Sequence, residues 1–574
     1  MNQNKKIRFA LGILLFYITA GLQAQRSLQE IPFADIEMQG ELYQRISKNF
    51  GRLHEEKYQP QNVFLTEEES GNWPGDTEGR TILALVLDAQ ASHKAPLHLK
   101  QILDQIPAHL NEKGYMGPVY EGKMNEQQVS GNGWMLRGLC EYYAWKKDPD
   151  VLPIMKTIVE NLFIKGKGFY ANYPIDPKSR KADVGAESGS IQNTVDDWML
   201  SSDIGCVFIG MEGTIHAYQY LRMPELKEVI EEMITRFLEI DLVKIKAQTH
   251  ASLTACRGLL RYDDITGEDK YLQEVEERWQ TYKRNGMTNN HENYNWFGRF
   301  DTWTEPCVIV DSYLLAVQLW QHTGKVEYRN DAELIYYNGI CHTQRFNGGF
   351  GCDNCPNGKM PYLKVHAPEA HWCCTMRGAE GLSQAVKYAY RLEQDTLFIP
   401  FFHQSELSWK KDTDKAFALQ QDTHYPFGET VSLKVKKNTA GIKSLKLPIL
   451  PWTFDYTISL NGKECKPNAK NGFFTLCADF HPGDIIELKF KQKLAAVPMS
   501  HAQDNDTFNK RFYYGPLLLG AKTDTPISLD EIGQLRPMEN LHFKVLDQNT
   551  VLSPIYHLLD PDVWEPDYKK QILF

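Results

Sequence analysis

Two short segments of this 574-residue chain hold side chains that can bind a metal ion and attack carbon. Thr304-Glu305-Pro306-Cys307 ends on a thiol, and His371-Trp372-Cys373-Cys374-Thr375 carries two more. Both read as helix starts. Thr304 is a candidate N-cap with Glu305 and Pro306 in the first turn, ahead of an apolar run from Val308 to Trp320. After the second segment Met376, Leu382, Ala385, Val386 and Ala389 recur at helical spacing. Two helix N-termini would then present one carboxylate and three thiols to a common point. Helix N-termini favour thiolate over thiol, and zinc takes four such ligands. A structural zinc site usually draws on two close Cys or His pairs without a carboxylate, so this set is unusual for that purpose. The competing reading is cysteines paired elsewhere beside an unrelated glutamate, although a disulfide between neighbours such as Cys373 and Cys374 closes a strained ring.

The remaining cysteines say less. Eleven is an odd number for an exported protein. Cys140, Cys206 and Cys256 sit in apolar, helical-looking segments as buried thiols, whereas Cys465 and Cys477 lie in strand-like segments where they can pair or pack. Cys341, Cys352 and Cys355 stand near the metal-type segments. The spacing of Cys352 and Cys355 suits a local disulfide or two free thiols better than half a zinc knuckle, since no second such pair exists.

Export itself is an expectation from residues 1–24. Lys5, Lys6 and Arg8 precede an apolar stretch from Phe9 to Leu22, and Ala24 stands before a cut at Gln25. The stretch is short for a membrane span, and no cysteine follows it to accept a lipid. A secreted or periplasmic protein without integral membrane association is expected. The net charge of −10, with no basic stripe carrying interleaved aromatics, argues against nucleic acid as a partner. Twelve Trp and 28 Tyr suit either core packing or a cleft that stacks on sugar faces.

Residues 25–72 read as a polar lead-in with one helix near Leu42–Phe50. The polar run Trp73-Pro74-Gly75-Asp76-Thr77-Glu78-Gly79-Arg80 reads as a loop before the helix Thr81–Ala91, either contacting a ligand, with Asp76 a candidate, or simply capping that helix. Helical segments then alternate with turns, near 97–112, 132–146, 150–164, 205–222, 225–240, 249–267, 269–284, 307–323, 327–345 and 376–391. Long loops rich in Gly, Asn and Asp fall between them, at Gly114–Gly133 and Gly166–Asp203. Paired helices without intervening strands predict an (α/α)6 barrel over 73–394, with a pocket at its loop end. From Asp395 the period becomes two, with strands near 396–402, 415–419, 430–436, 443–447, 455–460, 473–477 and 485–490. A C-terminal β-sandwich over 395–574 is expected, with Trp564 and Tyr568 packing back on the rest.

The order of motifs resembles a known family. Glu305-Pro306-Cys307, then Leu334-Ile335-Tyr336-Tyr337-Asn338-Gly339, Cys373-Cys374, Asp395-Thr396-Leu397-Phe398, Leu460-Asn461-Gly462, Tyr514-Gly515-Pro516-Leu517 and Leu552-Ser553-Pro554 are similar to the β-L-arabinofuranosidases of glycoside hydrolase family 127. The resemblance implies a zinc ion held by Glu305, Cys307, Cys373 and Cys374, with Cys373 as nucleophile. It implies Glu292, in Asn290-His291-Glu292-Asn293-Tyr294, as general acid/base of a retaining hydrolysis, and His250 as a sugar contact. His291 and Tyr294, with Trp296 and Phe297, stand beside Glu292 as further substrate contacts or as packing. Two histidines of the family align with Trp134 and Met211, with His216 nearby, which implies a rebuilt glycone pocket. Another pectic sugar such as aceric acid then stands as an alternative, with Arg80, Arg299 or Arg377 pairing its carboxylate or serving in ordinary ion pairs. The glycine-rich insert Gly348-Gly349-Phe350-Gly351-Cys352 through Met360-Pro361-Tyr362 is expected on the pocket rim. The readings in competition are a glucuronyl hydrolase or lyase working through Asp76, His250 and Glu292, a non-catalytic glycan-binding protein with a structural zinc, and a disulfide-bonded protein with no metal.

Overall fold

Between Gly40 and Tyr388 the chain is mostly helical, interrupted by short strands at Met124–Asn125, Ile191–Val195, Trp198–Ser201, Cys352–Asn354 and Tyr362–Ala367, and burial sorts the helices into two kinds. The computed structural model describes residues 28–64, 73–181, 187–356, 362–500, 510–523, 527, 529, 531–557 and 569–571. Among these, the helices of eight residues or more are α1 Gly40–Arg52, α2 Asp76–Ser92, α3 Leu99–His109, α4 Glu126–Lys146, α5 Val151–Ile158, α6 Val207–Leu221, α7 Pro224–Leu238, α8 Thr249–Thr266, α9 Leu272–Asn285, α10 Pro306–Thr323, α11 Val326–Ile335 and α12 Cys374–Tyr388. The expected signal peptide, residues 357–361 of the insert, Trp564 and Tyr568 lie outside the described residues.

In α2 the buried residues run unbroken from Glu78 to Ala89, and α4, α6 and α8 are likewise buried on every side along most of their length. In α7 burial is confined to Leu226, Val229, Ile230, Met233, Ile234 and Phe237, the single stripe of a helix with one wet face. Correspondingly α2 packs on α4, α4 on α6 and α6 on α8, while α7 packs on α6 and α9 on α8. Inner helices alternating with outer ones make an (α/α)6 barrel.

Contacts divide the chain into two compact units. One holds Ala316–Glu333 and Ala385–Lys491 with the strand Ile36–Met38. It contains a six-stranded sheet and a seven-stranded sheet, in which strands such as Ala416–Thr423 bury every second residue. The other unit holds Gln39–Leu315, Leu334–Gln384 and the chain from Gln492 onward, including a six-stranded sheet built between Leu494 and Pro554. The strands after residue 395 are thus shared between the two units.

Several helix starts differ from expectation. The segment Trp73–Arg80 is not a loop throughout: Gly75, at φ +87°, turns the chain and α2 begins at Asp76. Asp76 and Arg80 then face the same side one turn apart. Helix α4 begins at Glu126, inside the expected loop Gly114–Gly133, because the Asn125 side chain accepts hydrogen bonds from the N–H groups of Gln127 and Gln128. Thr304 does not cap α10, since Val308 N–H bonds to the Glu305 carbonyl at 2.8 Å. Instead the Thr304 hydroxyl accepts from Asp353 N–H at 2.8 Å, tying the helix start to the strand Cys352–Asn354.

Helices α4 and α6 cross at glycines. A Cβ on Gly213 would stand 2.3 Å from the Gly133 carbonyl oxygen, and one on Gly133 would stand 2.6 Å from Gly210 Cα. Gly213→Ala is expected to cost about 1–3 kcal/mol as the helices are forced apart, read as a lower midpoint in thermal unfolding. Stability should also depend on pH through Asp88 of α2. It is fully buried, accepts from Ser383 Oγ at 2.9 Å, and burial raises its pKa to about 8. In the unfolded chain the group titrates near about 3.9, so folding takes up a proton between these values. Its contribution is whole below the lower value and is lost as pH rises toward the upper one. Asp88→Asn should therefore gain on the wild type in urea unfolding between pH 5 and pH 8; an unchanged difference would refute this.

Candidate metal centre and active site

The two segments do meet. Cys307 lies in the first turn of α10 and Cys374 opens α12, with Cys373 just ahead of it. Their sulfurs approach: Cys307 Sγ is 3.8 Å from Cys374 Sγ, and Cys373 Sγ is 3.3 Å from it. With a Glu305 carboxylate oxygen, the ligand atoms of all four residues lie within 4.8 Å of one another and could hold a metal ion. None of the eleven cysteines is in a disulfide. Without a cation, burial pushes the Cys307 and Cys374 thiols well above their ordinary pKa, and hydrogen bonding with Cys307 does the same at Cys373. Burial also raises Glu305 to about 7. Arg80 supplies a cation at the edge: its Nη1 donates to Cys307 Sγ at 3.3 Å, while Nε and Nη2 hold both oxygens of Asp76.

Beneath this cluster lies a buried lattice of charge. Asp311 of α10 accepts from Arg257 of α8 and Arg377 of α12 at 2.5 Å each, and from Thr254 at 2.6 Å. Glu380 accepts from Arg137 of α4 at 2.9 Å and from Arg257 at 3.1 Å, and also pairs with Arg377. Glu212 of α6 pairs with Arg137 at 2.8 Å and Arg261 at 3.1 Å. Desolvation opposes charge on Asp311, yet the surrounding guanidiniums hold its carboxyl well below the usual range. Trp134 lies among them, with the Arg80, Arg137 and Arg377 guanidiniums 3.9, 4.3 and 4.8 Å from ring centroids.

A cavity of about 480 Å³ opens above the cluster, bordered by Glu305, Cys373 and Cys374. Asp76 and His250 are on its wall as expected. His250 stands 3.6 Å from Glu305 and 3.4 Å from Asp311, and burial lowers its pKa well below the ordinary value. Other expected contacts are elsewhere. Trp134 and Met211 are fully buried and do not border the cavity, since they lie deeper along their helices than the turns that reach it. Tyr294 is buried with its ring edge to Phe300, and His291 bonds to the Tyr513 hydroxyl at 2.9 Å. Trp296 and Phe297 are core residues. Of the described part of the insert only Cys352 borders the cavity, joined by His366 and Ala367 just beyond it.

Glu292 is also off the wall. Hydrogen bonds from Glu292 N–H to Thr288 Oγ1 and from Tyr294 N–H to the Gly286 carbonyl close a tight turn, with His291 at φ +63°. This turn points Glu292 into the protein. There its Oε1 accepts from Asn290 at 2.6 Å, and Cys355 Sγ lies 3.6 Å from Oε2. His342 Nε2 stands 4.0 Å from Glu292 and 3.5 Å from Asp353. Burial, then the charge of Asp353, pushes the Glu292 carboxyl well above its usual pKa.

Residues that sequence reasoning missed on the wall are Trp73, Ser188, Asp203, Gln248, Trp303 and Trp372. Asp203 closes the long polar segment noted above, and Trp73 and Trp372 flank segments already singled out. Trp303 stacks on His366 at 4.9 Å with a 5° interplanar angle, a contact with no local sequence signal.

Residues 396–492 match the family described as "Beta-L-arabinofuranosidase, GH127 middle domain". A GH127 beta-arabinofuranosidase structure superposes with a TM-score of 0.68 at 13% identity, covering 96% of this chain and 98% of its own. A GH127 beta-L-arabinofuranosidase from Geobacillus stearothermophilus T6 gives 0.64 at 12% identity, covering 94% and 99%. A further structure described only as a glycoside hydrolase gives 0.67 at 14% identity, covering 96% and 99%. A comparison with curated protein sequences returns no match. The likeness to glycoside hydrolase family 127 is therefore one of sequence over the middle segment and one of fold over nearly the whole chain.

Proposed function

We propose that the protein is an exported retaining glycoside hydrolase with a zinc-bound cysteine nucleophile, acting on β-L-arabinofuranosyl groups of plant-type glycans. The observation that carries this reading is the convergence of Glu305, Cys307, Cys373 and Cys374 on one point of a cavity wall. A tetrahedral zinc with Zn–S bonds of about 2.3 Å sets its sulfurs about 3.8 Å apart, close to the spacings here. The Arg80 guanidinium donating to Cys307 Sγ also suits a thiolate better than a thiol. When bound, zinc would keep the ligand sulfurs deprotonated at neutral pH.

This chain's residues then divide the work. Cys373 borders the cavity and is partly exposed, so its sulfur can reach an anomeric carbon, whereas Cys307 and Cys374 are fully buried. His250 and Asp76 offer polar contacts to the glycone. Trp73, Trp303 and the half-exposed Trp372 offer ring faces to sugar further out. The wall favours a neutral glycone: it carries Asp76, Asp203 and Glu305 against Arg80, which is already engaged with Asp76 and Cys307. Arg377 is buried in the charge lattice and Arg299 pairs with Asp301, so neither is placed to receive a sugar carboxylate.

Protein purified without chelator should contain about one zinc per chain and cleave 4-nitrophenyl β-L-arabinofuranoside. Chelation should stop turnover and added zinc should restore it. Cys373→Ala should lower turnover at least about a thousandfold with the fold intact by circular dichroism. Full turnover in zinc-stripped protein or in Cys373→Ala would overturn the reading.

A further inference from the structure

We propose that Asp203 is the proton donor and acceptor of the glycosidic reaction. The inference rests on the retaining-glycosidase reading and names a residue that reading left unassigned. Three carboxyls border the cavity. Asp76 is held by Nε and Nη2 of Arg80, and Glu305 belongs to the ligand cluster. Asp203 makes no ion pair among the described residues, so its carboxyl is the one on the wall that is committed neither to a cation nor to the cluster. Glu292, which the family resemblance implied for this role, is buried and does not border the cavity.

Asp203 is also held in place. Ser188 Oγ donates to its two oxygens at 2.9 Å each, Gly189 N–H donates to Oδ2 at 2.9 Å, and its own N–H bonds to Ser201 Oγ at 3.0 Å. These bonds fix the carboxyl just before α6, on the wall that Cys373 shares. Burial is the main influence on its proton and pushes the carboxyl up, and the negative charge of Glu126 acts in the same direction. Ser188 and Gly189 oppose them, and Glu126 is itself paired with Arg180 at 3.1 Å. Burial thus moves the carboxyl upward from its ordinary range, the direction needed by a group that gives and takes a proton in one cycle.

In the first step the Cys373 sulfur forms a bond to the anomeric carbon as the bond to the leaving oxygen breaks. The electron pair passes to that oxygen, which takes the proton of Asp203. In the second step a water oxygen bonds to the same carbon, the Asp203 carboxylate takes the water's proton, and the carbon–sulfur pair returns to sulfur. Configuration is retained and Asp203 ends protonated, as it began.

The test is Asp203→Asn in the full chain. With 4-nitrophenyl β-L-arabinofuranoside, whose leaving group needs little protonation, kcat/KM should stay within about tenfold of wild type while kcat falls about 100-fold or more. With methyl β-L-arabinofuranoside, kcat/KM should itself fall about 100-fold or more. Azide, which needs no base, should restore kcat on the nitrophenyl substrate and yield the β-glycosyl azide, which also shows that the variant is folded. Should Asp203→Asn fail to fold, Ser188→Ala serves instead: losing a donor to the carboxylate should move the alkaline limb of the kcat/KM profile upward. Equal losses on both substrates without azide rescue would overturn the assignment, as would an unmoved limb in Ser188→Ala or azide rescue of Glu292→Gln. A wild type that cleaves neither substrate would remove the glycosidase reading and this assignment together.

Discussion

Everything at the site rests on charges kept out of water. Arg137, Arg257 and Arg377 meet Glu212, Asp311 and Glu380 at positions almost wholly inaccessible to solvent. Each ion here carries a desolvation cost that only close, multiple pairing offsets, so loss of one partner strands the others. The members come from α4, α6, α8, α10 and α12, and satisfying all of them at once fixes these inner helices in depth and rotation. Trp134 packs among the guanidiniums, Arg80 lies over Trp134, and Cys307 lies against Arg80. The position of the thiol cluster is thus inherited, contact by contact, from the lattice below it.

The same geometry explains how anions can gather at one place. Helices α2, α8, α10 and α12 all contribute cavity residues from their first turns or just before them, so their positive ends face the cavity. A divalent ion with three thiolates and a carboxylate would leave net negative charge, which Arg80 and these helix ends oppose. An arrangement of this kind suits an attacking sulfur, since the developing neutral thioether needs no counter-charge of its own.

What could be read from the sequence follows how local each signal is. The ligand set was legible because Glu305, Cys307, Cys373 and Cys374 are unusual residue types at two recognisable helix starts. Outer helices such as α7 were legible from a single buried stripe. The inner helices were legible as helices but not in orientation: they are buried on every side, so their periodicity does not tell a cavity-facing position from a core one. Trp134 and Met211 fell to this ambiguity. The surroundings of Glu292 were not legible for another reason, since they depend on a turn with a left-handed residue at His291. Asp203 depends on Ser188 and Gly189, over a dozen residues earlier, and that meeting leaves no mark in the local pattern.

The separation of the ligands along the chain has a consequence for how the protein is made. Cys307 and Cys374 are 67 positions apart, and the helices bearing them must be docked before their sulfurs meet. A knuckle with ligands a few residues apart can capture an ion in a nearly unfolded chain and nucleate structure around it. Here the entropy of closing the intervening loop, and of assembling the barrel that contains it, falls due first. Assembly of the cluster is therefore a late event in folding, and a nascent chain keeps Cys307 apart from the Cys373-Cys374 pair until the barrel has closed.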